Sequence, residues 1–101
     1  LIRRYYSPER LEGHHETSAS LLWNVGVLID EVVNRRVYFR SEREVLDPLR
    51  VYRYDNSEVP QLKKTCESLL SKEATQRMGI EALRKILELE FDRFERRTMT
   101  Q

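Results

Sequence analysis

The sequence predicts an all-α fold, a small helical domain of three main helices joined by an irregular aromatic segment. Three observations predict it. Apolar residues recur at helical spacing in three separate stretches. Glycine and proline are sparse, three of each in 101 residues. The composition, 40% hydrophobic and 35% charged, is that of amphipathic helices with charged outer faces and is too apolar for a disordered chain. The length is that of one domain, so residues 1–101 read as a single helical interaction domain. The chain opens on Leu1 rather than methionine, and the expectation is a fragment of a larger protein.

The N-terminal stretch is polar and broken. Ser7-Pro8 places a serine cap before a proline in the first helical position, the signal for a short helix that Gly13 ends. The first main helix is predicted over about residues 17–36, with Thr17, Ser18 and Ser20 as candidate caps and Arg35 and Arg36 at the negative end of its dipole. Leu21, Leu22, Val25, Leu28, Ile29, Val32 and Val33 fall on one broad face, read as the core face. Trp23 and Val27 stand on the opposite side near Asp30 and Asn34, a second apolar ridge.

Residues 37–54 are the aromatic connection. Ser41 with Glu44 has capping-box spacing for a short helix that Asp47-Pro48 must end. The strand-favouring runs Val37-Tyr38-Phe39 and Val51-Tyr52-Arg53-Tyr54 could pair as a two-stranded ribbon, but linkers packing their aromatics on the helices are the preferred reading. A second main helix is expected over about 58–72, capped by Asp55-Asn56-Ser57, with Val59, Leu62, Cys66, Leu69 and Leu70 as its stripe. Glu73 and Arg77 interrupt that stripe, so a turn is placed within 71–79. The third helix spans about 78–97, with Ile80, Leu83, Ile86, Leu87, Phe91 and Phe94 on one face. A Glu81–Lys85 ion pair should support it, and the chain should fray from Arg96 onward. Glu90 lies inside the apolar face and needs a cation such as Arg93 or Arg97, whereas Leu89 lies outside it.

Composition also bounds function. A net charge of +1 argues against strong sequence-independent attraction to nucleic acid or anionic membrane. One cysteine, Cys66, excludes an internal disulfide and points to an intracellular compartment, cytoplasm or nucleus. No apolar run approaches the roughly 18 residues of a membrane span, so no membrane partner is expected. His14, His15 and Glu16 with the single thiol do not make a metal site, and no cofactor motif is present. Cys66 sits on an apolar stripe, where a buried, unreactive thiol is the ordinary outcome.

Of the 18 basic residues 14 are arginine, whose planar fork suits interfaces. What exceeds the needs of one core is assigned to partner binding: Trp23, Val27, Leu89, and the Arg-Tyr segment containing Arg50, Tyr52, Arg53 and Tyr54. The expectation is a non-enzymatic interaction or assembly domain that binds another protein or a second copy of itself. The alternative is a nucleic-acid-binding module in which the Arg-Tyr clusters grip phosphates and stack on bases. For Trp23 and Val27 a further alternative holds, that the N-terminal residues Leu1, Ile2, Tyr5 and Tyr6 cover them.

Overall fold

The computed structural model describes residues 3–99. It is all-α, with no strand among the described residues. Five α-helices follow in order: α1 (Pro8–Leu11), α2 (Ser18–Asn34), α3 (Glu42–Leu46), α4 (Lys63–Leu69) and α5 (Ile80–Met99). Short 3-10 turns lie at Arg3–Tyr5, Pro60–Leu62 and Ala74–Gln76.

Local chemistry sets most of these boundaries. Ser7 caps α1, its Oγ accepting from the Arg10 amide at 3.3 Å, and Gly13 leaves the helix with φ of 94°. Thr17 and Ser20 cap α2 reciprocally, each side chain accepting from the other's amide at 3.3 and 2.7 Å. Ser41 starts α3, and that helix stops at Asp47, before Pro48, as the proline requires. The Glu44 side chain reaches one residue beyond the expected box and accepts from the Arg40 amide at 3.0 Å.

Several expected boundaries are corrected. α2 ends at Asn34, two residues early, because Arg35 takes the left-handed conformation with φ of 54°. α4 begins late and without a side-chain cap. Asp55 and Asn56 are drawn to α2 instead: Asp55 pairs with Arg36, and Asn56 donates to the Val33 carbonyl at 2.7 Å. α5 continues through Met99 where fraying was expected, and Glu81 pairs with Arg84 in place of Lys85.

The helices pack in two joined clusters. Trp23 and Val27 of α2 meet Phe39, Val45 and Leu70, with Tyr5, Leu11, Tyr38 and Tyr52 around them. Leu22 meets Leu69 and Leu83, flanked by Val25, Ile29 and Met78, which seats the first turn of α5. α2 lies closest to α4, and Gly26 permits it: a Cβ there would stand 2.7 Å from the Leu69 Cβ. α5, about 30 Å long at 1.5 Å per residue, then runs outward from the body. The molecule accordingly measures 48 × 25 × 24 Å.

The stripe interruption at Arg77 becomes a buried ion pair. Its fully buried guanidinium donates to Glu9 of α1 at 2.6 and 2.9 Å, to the Ala19 carbonyl of α2 at 2.9 Å and to the Ser71 carbonyl at 2.9 Å. It also lies over the Trp23 ring, 5.1 Å from its centroid. Partial burial works to raise the Glu9 pKa, but the hydrogen bonds and charge of Arg77, aided by Ser7, win and hold it below its ordinary 4.5. With a folded pKa below the unfolded one, the stability Glu9 contributes is present above 4.5 and is lost as pH falls through the depressed folded value.

Replacing Gly26 with alanine forces α2 away from α4. Denaturant unfolding should show a loss of about 1–3 kcal/mol, and an unchanged midpoint would contradict this packing.

Candidate functional site

The site is best built outward from Asp30, a carboxylate with no solvent exposure near the end of α2. A buried carboxylate requires donors, and the chain supplies them from both flanks. Asn34, one turn along, donates at 2.8 Å. The left-handed residue Arg35 reverses the chain so that Arg36 folds back, its Nη2 and Nε lying 3.1 and 3.4 Å from the carboxylate oxygens. The Tyr52 hydroxyl completes the shell, donating to Oδ1. Arg36 also holds the Asp55 carboxylate and the Arg53 carbonyl, tying residues 52–55 to the end of α2.

The pKa values of Arg36, Tyr52, Tyr54 and Cys66 are all raised here. Burial first, then the hydrogen bond to Asp30, pushes the Tyr52 phenol far up. Burial also pushes the Cys66 thiol up to about 11, against a lowering from its Tyr52 contact. A thiol that is neutral at physiological pH and inaccessible is a poor nucleophile. Among the described residues no group of three or more histidine, cysteine or acidic side chains could hold a metal ion. No helix among them is long and apolar enough to cross a membrane.

The aromatic segment packs as side chains, not as a ribbon. Tyr38 meets Phe39 and Tyr52 edge-on at 4.9 and 5.2 Å, and its hydroxyl bridges the Val51 carbonyl and the Arg53 amide. Arg50 lies over the Tyr38 ring at 4.6 Å and the Phe39 ring at 5.6 Å, with Glu44 at 3.7 Å. The Tyr54 hydroxyl donates to the Val59 carbonyl. Of the Arg-Tyr residues assigned to partners, Arg53 is exposed, while Arg50, Tyr52 and Tyr54 are half-buried and occupied within the fold.

The assignment of faces on α2 is corrected most. Trp23 and Val27 are 1% exposed and form the centre of the larger cluster, so they are not a free ridge. Phe39, stacked on Trp23 at 5.4 Å, covers them together with Val45 and Leu70. The N-terminal arm contributes Tyr5, and Leu1 and Ile2 lie outside the described residues. The presumed core face divides. Leu22 is buried, Val25, Ile29 and Val33 are half-buried, and Leu21, Leu28 and Val32 face outward, Val32 at 75% exposure. A helix apolar on every side belongs inside a structure, yet this one leaves an edge uncovered.

α5 repeats the pattern. Only the edge of its stripe is used by the body: Leu83 is buried, and Glu90 accepts from Gln61 at 2.9 Å and from Arg93 at 2.8 Å. Ile80, Leu87 and Phe91 remain open beside Leu83, rimmed by Arg84, Glu88 and Asp92. Leu89, half-exposed, stands apart from that row. The surface residues missed in the sequence are therefore Leu21, Leu28 and Val32, and the signal was present: α2 carries more apolar surface than one core can cover.

Set against family models, curated proteins and solved structures, the chain matches none.

Trp23→Ala should unfold the domain, not silence a surface. A loss of about 3–5 kcal/mol is expected for a buried tryptophan, read as collapse of the helical circular-dichroism signal at moderate temperature. A folded variant of wild-type stability would contradict the core placement.

Proposed function

We propose that this chain is a non-enzymatic assembly domain, joined to a protein partner through the outer rows of α2 and α5. The observation that carries this reading is the exposure of Leu28, Val32, Ile80 and Phe91, each more than half open to solvent. Apolar rows of this kind, rimmed by charge, mark surfaces that another protein covers. Self-association is the form the charge balance favours, because two copies each of net charge +1 repel little.

The Arg-Tyr clusters lend nucleic-acid binding less support than their sequence suggested. Arg36 and Arg50 are paired with Asp30 and Glu44 and lie over the Tyr38 ring, so their charges and that ring are already engaged within the fold. A buried, neutral thiol likewise offers no nucleophile in support of catalysis.

Light scattering after size exclusion tests the proposal across at least a tenfold range of concentration. The wild-type chain should exceed its 12.2 kDa monomer mass and dissociate on dilution. The double variant Leu28→Glu, Phe91→Glu should stay monomeric with unchanged helicity. A wild-type chain that is monomeric throughout, indistinguishable from the double variant, contradicts self-assembly through these rows.

A further inference from the structure

The open face of α5 carries an order of charge as well as an apolar row. Ile80, Leu87 and Phe91 stand along it, and Arg84, Glu88 and Asp92 line the row on one flank. The other flank is taken by the body: Leu83 packs on Leu22 and Leu69, and Glu90 accepts from Gln61 at 2.9 Å. One side of the row is thus left to meet a charged neighbour. Its signs run in sequence, the cation nearer the start of the helix and the two carboxylates beyond it. Glu81 also pairs with Arg84 but does not line this face. Within one copy Arg84 bridges to Glu88 at 2.8 Å and Asp92 to Arg96 at 3.1 Å. Exposed pairs of this kind along a single helix contribute little in solvent, so they exchange readily for contacts with a neighbour.

The order of signs selects the neighbour. A two-fold axis relating two antiparallel helices keeps their equivalent flanks on the same side, so each charged row meets the other in reverse order. With Leu87 of both copies at the axis, Phe91 of each comes level with Leu83 of the other. Arg84 of each then comes level with the stretch between the other's Glu88 and Asp92. Each cation faces carboxylates, and the apolar row is covered by its own counterpart. A parallel pair fails on both counts. It turns the charged flank of one helix toward the flank of the other on which Leu83 and Glu90 are already engaged. Because α5 runs outward from the body, antiparallel pairing also sets the two bodies toward opposite ends.

Resting on the reading of the chain as a self-associating domain, we infer that α5 pairs antiparallel with α5 of a second copy about a two-fold axis near Leu87. The pairing covers Ile80, Leu87 and Phe91 and sets Arg84 of each helix between Glu88 and Asp92 of the other.

The test makes each charged row uniform. Arg84→Glu leaves a row that is wholly acidic, and Glu88→Arg with Asp92→Arg leaves one that is wholly basic. Each variant alone should self-associate at least about tenfold more weakly than the wild-type chain, because like charges then oppose across the axis. Helicity by circular dichroism should be unchanged. An equimolar mixture of the two variants should recover a dimer, read by light scattering after size exclusion. Recovery on mixing cannot come from pairs within one helix, which are the same in each variant before and after mixing. Should a reversal cost helicity, chains carrying Arg84→Cys and Asp92→Cys decide instead, since Cys66 is buried. Mixed in air, they should form the disulfide between unlike chains faster than either forms one with itself, and no such preference overturns the pairing. Variants that associate as well as the wild-type chain overturn the α5 pairing and leave assembly through the α2 row standing. Variants that weaken but do not recover on mixing overturn the antiparallel arrangement. A wild-type chain that stays monomeric overturns the pairing and the assembly reading together.

Discussion

The guanidinium of Arg77 joins three stretches of chain by direct hydrogen bonds. It meets Glu9 in α1, the Ala19 carbonyl at the start of α2, and the Ser71 carbonyl after α4, and it caps the face of Trp23. A fully buried cation is tolerated only where its donors are taken up, so the three stretches must arrive together or not at all. Lysine could not substitute, because a single ammonium lacks the planar fork that spans a carboxylate and two carbonyls at once. The loop around residues 71–79 is therefore ordered by its one buried charge together with Met78, which packs against Leu22, Leu69 and Leu83. The start of α5 is set by that loop and by Leu83, which packs against Leu22 and Leu69.

Asp30 performs the corresponding task at the other end of α2. Its carboxylate gathers Arg36, Asn34 and Tyr52, and through Arg36 the Asp55 carboxylate as well. The aromatic segment is thereby held against Trp23 without a ladder of backbone hydrogen bonds. Two buried charges thus organise the irregular parts of the fold, and hydrophobic burial organises the helices. That division explains why the Arg-Tyr clusters, which look in sequence like a nucleic-acid surface, are mostly spent inside the molecule. It also concentrates the uncovered apolar surface on the outer rows of α2 and α5, away from both charge knots.

Where a local rule operated alone, the sequence was legible. Ser7-Pro8, Thr17, Ser41 and Asp47-Pro48 set helix ends through side-chain caps or proline sterics, and each end lies within a residue of where those rules put it. The period of α5 marked its start, but the row read as a core face is buried only at Leu83 and is open at Ile80, Leu87 and Phe91. Failure came where tertiary partners decide. α2 is apolar around most of its circumference, so periodicity could not say which face Phe39 and Val45 would cover, and the wider stripe was the wrong choice. α4 starts late: Asn56, a plausible cap in isolation, donates to the Val33 carbonyl of α2, and Asp55 pairs with Arg36 just beyond that helix. Arg77 was visible only as an interruption in a stripe. That it seeks Glu9, sixty-eight residues away, depends on chain geometry that no local window contains.

The measurement that bears most directly on this account is the unfolding free energy of Arg77→Met at neutral pH, by denaturant titration against the wild-type chain. Methionine matches the stem in length but removes the guanidinium, with its hydrogen bonds and its place over the Trp23 ring. If Arg77 organises the fold, the Glu9 carboxylate and the Ala19 and Ser71 carbonyls lose their donor together, and about 3 kcal/mol or more should be lost. A variant within about 0.5 kcal/mol of wild type, the range of an ordinary surface substitution, would show that the three stretches assemble without it.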